Sequence, residues 1–447
     1  MDIRGLHAFV TGAKTAPQRI LDTPTSGVFC FDTTQIPTKD SGPQDITQIV
    51  GVSATRILDA LVSHGYYAKV PDIHIDPSMS VVMVRMRIDG ILQNVYTIPL
   101  SLHAEIISRI KVMGGLRIDE HYMPHDGRFR SYIANTTEKN TDAISIDVRV
   151  SITPTYHGEN AVLRLLSNTG RATELLDLGF TELHSEIIKS VITRTHGMIL
   201  TTGPTGSGKT TTLYTLLQLL NMPGVSIITL EDPIEYSMPG VRQIQVNPSI
   251  GFTFGTGLRS VVRQDPDIVM VGEVRDTETA RLAINTALTG HLVLSSVHTN
   301  DAVTTIIRLL DMGVEPYLIA STLSLVIGQR LVRMICRGCR ESYTLSDIEV
   351  LQISKILPAN FAHNHHQFYR GRGCGECMGT GYRGRMGVYE LLVVDEIVRE
   401  HIVLRASVDS IRTLALERGM RSMILDSLYK ARDGLTTIEE TLRLHHE

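Results

Sequence analysis

The sequence contains no tryptophan, and aromatic residues make up only 5% of its 447 positions. It therefore lacks the aromatic–basic pattern of grooves on which single-stranded nucleic acids stack. Charge of one sign is not in excess either: 43 Lys and Arg stand against 47 Asp and Glu, a net charge of −4. No global basic field points to nucleic acid, and no direct nucleic-acid contact is expected. No apolar run approaches the roughly 18 residues that a bilayer-spanning helix requires. The longest candidate, Tyr317 to Gly328, is short and carries Ser and Thr. The N-terminus, Met1-Asp2-Ile3-Arg4-Gly5, lacks the charged-then-apolar pattern of a signal peptide. The expectation is a cytoplasmic protein whose membrane contact is indirect, through a partner. No internal repeat of fixed period is visible, which argues against solenoids and arrays. Cysteine is scarce, five in all. Four of the five fall in two C-x-x-C pairs, which in a reducing compartment favours a metal over disulfides.

What the sequence does contain is Gly203-Pro204-Thr205-Gly206-Ser207-Gly208-Lys209-Thr210, a complete G-x-x-x-x-G-K-[ST] phosphate loop. Its glycines let the backbone turn tightly and aim N–H groups at phosphate oxygens. Lys209 can reach the β- and γ-phosphates, and the Thr210 hydroxyl can hold Mg²⁺. Met198 to Thr202 reads as a buried strand entering the loop. Thr211 to Leu220 reads as a helix leaving it, with an N-terminal dipole that favours anions. The site residues for ATP are therefore 203–210 together with Thr211.

A chain of this length predicts two or three domains. Residues 1–45, which include Cys30, read as a weakly ordered lead-in. Residues 46–168 form an α/β domain with a mostly antiparallel sheet. Its signals are an amphipathic helix from Val52, the alternation Val81–Ile88 ending in Asp89-Gly90, and a helix over Leu102–Met113. Strands follow near Ala143–Ile152 and Asn160–Leu166, with Asn135–Asp142 as a loop tip. A hinge is placed over 169–182. From 183 to 333 helices alternate with apolar strands at Gly197–Thr202, Ser226–Leu230, Ile268–Val271 and Leu292–Ser296, the pattern of a parallel sheet covered by helices. A cysteine-bearing insertion is assigned to 334–390 and a helical region to 391–447.

Acidic residues follow two of those strands: Glu231-Asp232-Pro233-Ile234-Glu235, and Gly272-Glu273. In parallel sheets the C-terminal strand ends form the ligand crevice, where carboxylates can organise Mg²⁺ or polarise a water. His298, just beyond a third strand, can sense a γ-phosphate by donating a hydrogen bond; taken alone, a loop histidine is more often simply satisfied by its neighbours. Cys336-x-x-Cys339 and Cys374-x-x-Cys377 complete a four-thiolate Zn²⁺ set with no open position, hence a structural role. A redox dithiol is the rival, disfavoured by the Arg- and Gly-rich surroundings. His363, His365 and His366 read as a solvated loop. Arg128, Arg149 and Arg164 carry the guanidinium fork that suits phosphate, and in a ring of subunits they could act as arginine fingers; surface or salt-bridge arginine is the plainer reading.

These motifs, taken in order, resemble the ATPases of type II secretion and type IV pilus assembly. The match runs over residues 50–447. It includes Asp72-Ile73-His74-Ile75, Asp126-Gly127-Arg128, Pro154 to Glu159, the phosphate loop, Glu231 to Glu235, Arg263 to Asp276, Gly290-His291 to His298-Thr299, Gln329 to Arg333, the four cysteines and Gly379 to Arg385. The resemblance implies a PAS-like N-terminal domain ahead of a RecA-like motor domain. It implies a homohexamer using ATP and Mg²⁺, peripheral to the inner membrane through a platform protein. It implies that Glu273 is the catalytic glutamate, that Glu231 and Glu235 organise Mg²⁺, and that His291 and His298 form a histidine box, with His291 among the nucleotide-binding residues. It sets the three arginines at or near finger positions. His125 departs from the Gln common before Asp-Gly-Arg. The cysteine knuckles fit the secretion and pilus-extension branch rather than retraction, and the short lead-in leans toward a pilus system. A conjugation or DNA-uptake motor and a nucleotide-gated scaffold that does not hydrolyse ATP are the rival functions.

Overall fold

The computed structural model describes residues 53–133, 144–166, 174–345, 350 and 367–446. The lead-in with Cys30, the loop tip 135–142, the first residues of the expected hinge, and His363, His365 and His366 lie outside the described residues. Two compact units make up the chain: Met1–Ser167 with Cys374–Gly379, and Asn168–Gly373 with Thr380–Glu447.

The first unit contains helices α1 (Ala54–Tyr67) and α2 (His103–Gly114). Its strands are β1 (Asp72–Pro77), β2 (Val81–Ile88), β3 (Ile91–Pro99), β4 (His125–Ile133), β5 (Ile144–Thr155) and β6 (Gly158–Leu166). The sheet order is β3-β2-β1-β6-β5-β4, and every pair is antiparallel. Asp89 and Gly90 both take positive φ, 49° and 87°, and Ile88 pairs with Ile91; this is the two-residue hairpin their sequence announces. Along β5, Ile146, Val148, Val150 and Ile152 are buried while Ser145, Asp147 and Ser151 are exposed. Period-two alternation thus gives the sheet one apolar face. That face packs on α1 and α2 through Leu58, Leu61, Ile106 and Ile110.

In the second unit a seven-stranded sheet runs β15-β12-β7-β11-β10-β8-β9. The strands are β7 (Gly197–Thr202), β8 (Ile227–Glu231), β9 (Arg242–Gln245), β10 (Ile268–Val271), β11 (Leu292–Val297), β12 (Leu323–Ile335) and β15 (Tyr382–Val393). Strands β12 through β9 are parallel, and β15 adds an antiparallel edge to β12. All six residues of β7 are buried, as the near-continuous apolar reading of a strand covered on both faces requires. Ile199 packs with α3 (Glu182–Ile192) and α4 (Lys209–Leu220) on one face. Met198 and Leu200 pack on the other with α5 (Phe254–Val261), α6 (Thr277–Leu288), α7 (Ala302–Asp311) and α8 (Pro316–Thr322).

Strands β13 (Arg340–Thr344) and β14 (Gln367–Gly371) pair apart from this sheet. Helices α9 (Glu396–Val403), α10 (Val408–Glu417), α11 (Met423–Arg432) and α12 (Ile438–His446) complete the unit. One boundary needs correction. Residues 382–390, assigned above to the cysteine insertion, lie in β15 and belong to the main sheet, because their partner strand β12 continues past Arg333.

Candidate active site and metal centre

Strands β7, β8, β10 and β11 end at the same edge of the sheet, and each delivers a polar segment there. β7 enters the phosphate loop and α4 leaves it at Lys209. Thr205, Gly206, Thr210 and Thr211 are exposed at its mouth, while Ser207 and Lys209 are buried. Gly203 has φ 146°, and a Cβ there would stand 2.3 Å from the Gln329 carbonyl oxygen and 2.7 Å from Ser207 Oγ. Only glycine fits so close an approach. Lys209 Nζ donates to the carbonyls of Gly203 (2.8 Å) and Pro204 (3.0 Å). Burial pushes its ammonium down to about 8; the Glu273 carboxylate opposes that shift and Arg330 adds to it. Gln329, from β12, donates through Nε2 to the Ser207 carbonyl at 2.8 Å. Among the described residues Ser207 Oγ and Gln329 Oε1 are buried without a partner.

Glu273 follows β10. Its carboxylate contacts Arg275 Nε at 2.6 Å and His298 Nε2 at 3.3 Å. Its own side chain is only 12% exposed, against 45% for that of His298. The strand end beneath is fixed by Ser296, whose hydroxyl donates to the Gly272 carbonyl at 2.8 Å. Thr299, next to His298, donates through its N–H to Thr202 Oγ1 at the end of β7, at 3.1 Å. Lys209, Glu273 and His298 are thereby brought together.

Three other sequence-predicted residues remain. Glu231 and Glu235, both expected as magnesium-organising acids, stand in different surroundings. Glu231 is 3% exposed. It accepts hydrogen bonds from the Tyr214 hydroxyl, from Thr229 Oγ1 (2.6 Å) and from Gln243 Nε2 (3.2 Å). Glu235 is exposed. His291, expected beside the nucleotide, stands at the opposite end of β11 from His298, with Nδ1 3.0 Å from the Thr286 carbonyl. Leu292 pairs with Gly197 and Val297 with Thr202. At strand rise the length of β11 sets His291 about 20 Å from the loop.

In the first unit Arg128 pairs with Arg149 and Arg149 with Arg164, so the three form one cross-strand row. Arg164 Nε also contacts Asp72 Oδ1 at 2.8 Å, and Arg87 Nε contacts Asp72 Oδ2 at 3.3 Å. Sequence reasoning missed Gln329, Tyr214 and Gln243 as supports of the site. A polar Gln inside the apolar run Leu325 to Val332 is the one available signal; Tyr214 and Gln243 gave none.

Cys336, Cys339, Cys374 and Cys377 carry no disulfide, and their sulfurs all lie within 4.8 Å of one another. Cys374 and Cys377 Sγ are 3.7 Å apart. That separation suits the edge of a tetrahedron with Zn–S bonds of about 2.3 Å. The turns that hold the sulfurs are tied by Cys336 N–H to the Gly381 carbonyl (2.9 Å) and Arg372 N–H to the Cys339 carbonyl (3.0 Å). The donor set fits zinc.

The sequence profile of the type II/IV secretion system protein family matches residues 51–443. The type IV pilus assembly ATPase PilB of Thermus thermophilus is 44% identical over 390 residues, 87% of this chain and 43% of that protein. This chain thus spans less than half the length of that relative. Type II secretion system protein E of Xanthomonas campestris pv. campestris is 45% identical over 87% of this chain and 67% of its own length. Among solved structures, the ATPase DotB of Legionella pneumophila aligns at TM-score 0.64 and 20% identity, covering 91% of this chain and 99% of that one. The pilus retraction motor PilT with bound ADP aligns at TM-score 0.56 and 23% identity, covering 87% and 96%; both likenesses speak to fold alone. With 393 consecutive positions accounted for by one profile (51 through 443), the chain belongs to the type II/IV secretion system protein family.

Proposed function

We propose that this chain hydrolyses Mg-ATP as a homohexameric motor of a type IV pilus or type II secretion machine, working through an inner-membrane platform protein. The observation that carries the reading is the gathering of Lys209, Glu273 and His298 beside the exposed Thr210 at one sheet edge. The loop N–H groups and Lys209 hold the phosphates, and Thr210 is the residue that would take Mg²⁺. Magnesium, when bound, neutralises charge developing on the β- and γ-phosphates. Glu273, braced by Arg275, orients the attacking water and accepts its proton. His298 donates to the γ-phosphate. Arg128, Arg149 and Arg164 supply positive charge to the γ-phosphate of a neighbouring copy. The four cysteines would hold zinc, which would staple their loops. Among the described residues no helix is long and apolar enough to cross a membrane.

A phosphate-release assay tests the reading. Lys209→Ala should abolish turnover, and Glu273→Gln should retain bound ATP without hydrolysing it. Normal hydrolysis by either variant removes the site assignment, and none by the unaltered chain leaves a nucleotide-gated scaffold. Crosslinking in host membranes then separates the machines: recovery of the platform with pilins marks pilus assembly, and recovery with secretion-channel components marks export.

A further inference from the structure

The turn between β8 and β9 carries Asp232 and Glu235, both exposed, while Glu231 ahead of it is sealed in the protein. Both Glu231 oxygens are already engaged, one by Tyr214 and the other by Thr229 and Gln243. Burial, and then the Glu231 carboxylate itself, hold the Tyr214 phenol far above its ordinary value, so it remains a donor at any working pH. Tyr214 and Gln243 in turn grip the backbone of the turn. Tyr214 Oη accepts from Glu235 N–H at 3.4 Å. Gln243 Nε2 donates to the Tyr236 carbonyl at 3.0 Å, and Gln243 Oε1 accepts from Met238 N–H at 2.7 Å. The Tyr236 ring meets Tyr214 edge-on, with centroids 4.6 Å apart. A carboxylate whose lone pairs are occupied by fixed donors in a buried network cannot exchange them for a hydrated cation without leaving those donors unpaired.

We infer that Glu231 is a positioning residue: through Tyr214 and Gln243 it fixes the turn 232–238, and Glu235 is the acid that this turn presents to the hydrated magnesium of the nucleotide. The inference deepens the ATPase reading and rests on it. Tyr214 lies on α4, the helix that leaves the phosphate loop, so the same network ties the loop's helix to the acidic turn.

Two measurements test it. Steady-state hydrolysis is followed against ATP at excess Mg²⁺, and against Mg²⁺ at saturating ATP. Tyr214→Phe and Glu231→Gln should each lower kcat about tenfold, with KM for ATP and the Mg²⁺ half-saturation moving less than about twofold. The double variant should be no worse than the poorer single one, because both break one network. Glu235→Gln should raise the Mg²⁺ half-saturation about tenfold. A tenfold rise in Glu231→Gln without one in Glu235→Gln overturns the inference. Amide exchange is the second measurement and does not depend on turnover. In Tyr214→Phe, and in Gln243→Met as a variant on β9 rather than on α4, amides of residues 235–238 should exchange at least about tenfold faster. Unchanged exchange in both overturns the inference even if the unaltered chain hydrolyses ATP. Faster exchange with no hydrolysis by the unaltered chain rejects the ATPase reading and leaves the network standing.

Discussion

Lys209 makes nucleotide affinity depend on pH in a direction that can be worked out. In the nucleotide-free chain its ammonium is buried against the carbonyls of its own loop, and burial pushes its pKa down to about 8. Phosphate oxygens favour the charged form, so the pKa in the complex lies higher. Affinity is then fully present below pH 8 and is lost as pH rises through 8 toward the value in the complex. For one group titrating at 8, the factor 1 + 10^(pH − 8) grows from about 1.1 at pH 7 to about 11 at pH 9. The dissociation constant should therefore weaken about tenfold over that range, equivalent to about 1.4 kcal/mol. The assay is equilibrium titration of a fluorescent ATP analogue at constant excess Mg²⁺ and ionic strength. Lys209→Gln should bind more weakly but with a flat profile. Folding shows the opposite sign. A lysine depressed in the folded state burdens stability below pH 8, and that burden lifts as pH rises from 8 toward 10.5. The nucleotide-free melting temperature should gain accordingly. A flat binding profile in the unaltered chain, or the same slope in Lys209→Gln, refutes the argument.

Gly203→Ala should cost at least about 1–3 kcal/mol in denaturant unfolding and abolish nucleotide binding, since its Cβ meets the Gln329 carbonyl at 2.3 Å. Metal analysis of the purified chain should find about one zinc per chain, and Cys374→Ser should lose it together with several degrees of thermal stability; metal-free folded protein refutes the assignment. Glu390, on β15, is buried, and burial raises its carboxyl pKa although the Ala302 N–H donates to it at 2.7 Å. A carboxyl raised in the folded state stabilises below its unfolded pKa, and that contribution is lost as pH rises through the folded value. Glu390→Gln should thus flatten the fall in melting temperature from acid to neutral pH.

Local patterns made much of this legible in the sequence. The phosphate loop is contiguous, so its flanking strand and helix could be placed at Gly197–Thr202 and just after Lys209. The hairpin at Asp89-Gly90 and the cysteine pairs are likewise written in adjacent residues. What escaped was what depends on register between distant strands. Gln329 meets the loop because β12 lies beside β7, more than a hundred positions away in sequence. His291 and His298 flank one strand, and the parallel register of β11 with β7 shows that the His298 end is the one beside the phosphate loop. Glu231 and Glu235 are four residues apart, yet the end of β8 buries one and the turn exposes the other.

The arginine row of the first unit follows the same logic and bears on function. Arg128, Arg149 and Arg164 come from three strands and face one another across the sheet. Like charges directly opposite are destabilising. Asp72 answers Arg164 and Arg87 at one end, but Arg164 is 60% exposed there, and such exposed pairs contribute little. Among the described residues no carboxylate stands within ion-pair distance of Arg128 or Arg149. The row therefore costs stability, and a structural role predicts the wrong sign for its removal. Arg149→Gln should leave the melting temperature unchanged or slightly raised. Turnover should fall by at least about a thousandfold if the row serves as arginine fingers, with nucleotide affinity little altered. A destabilised Arg149→Gln with normal turnover would make the row a structural feature and remove it from the proposed mechanism.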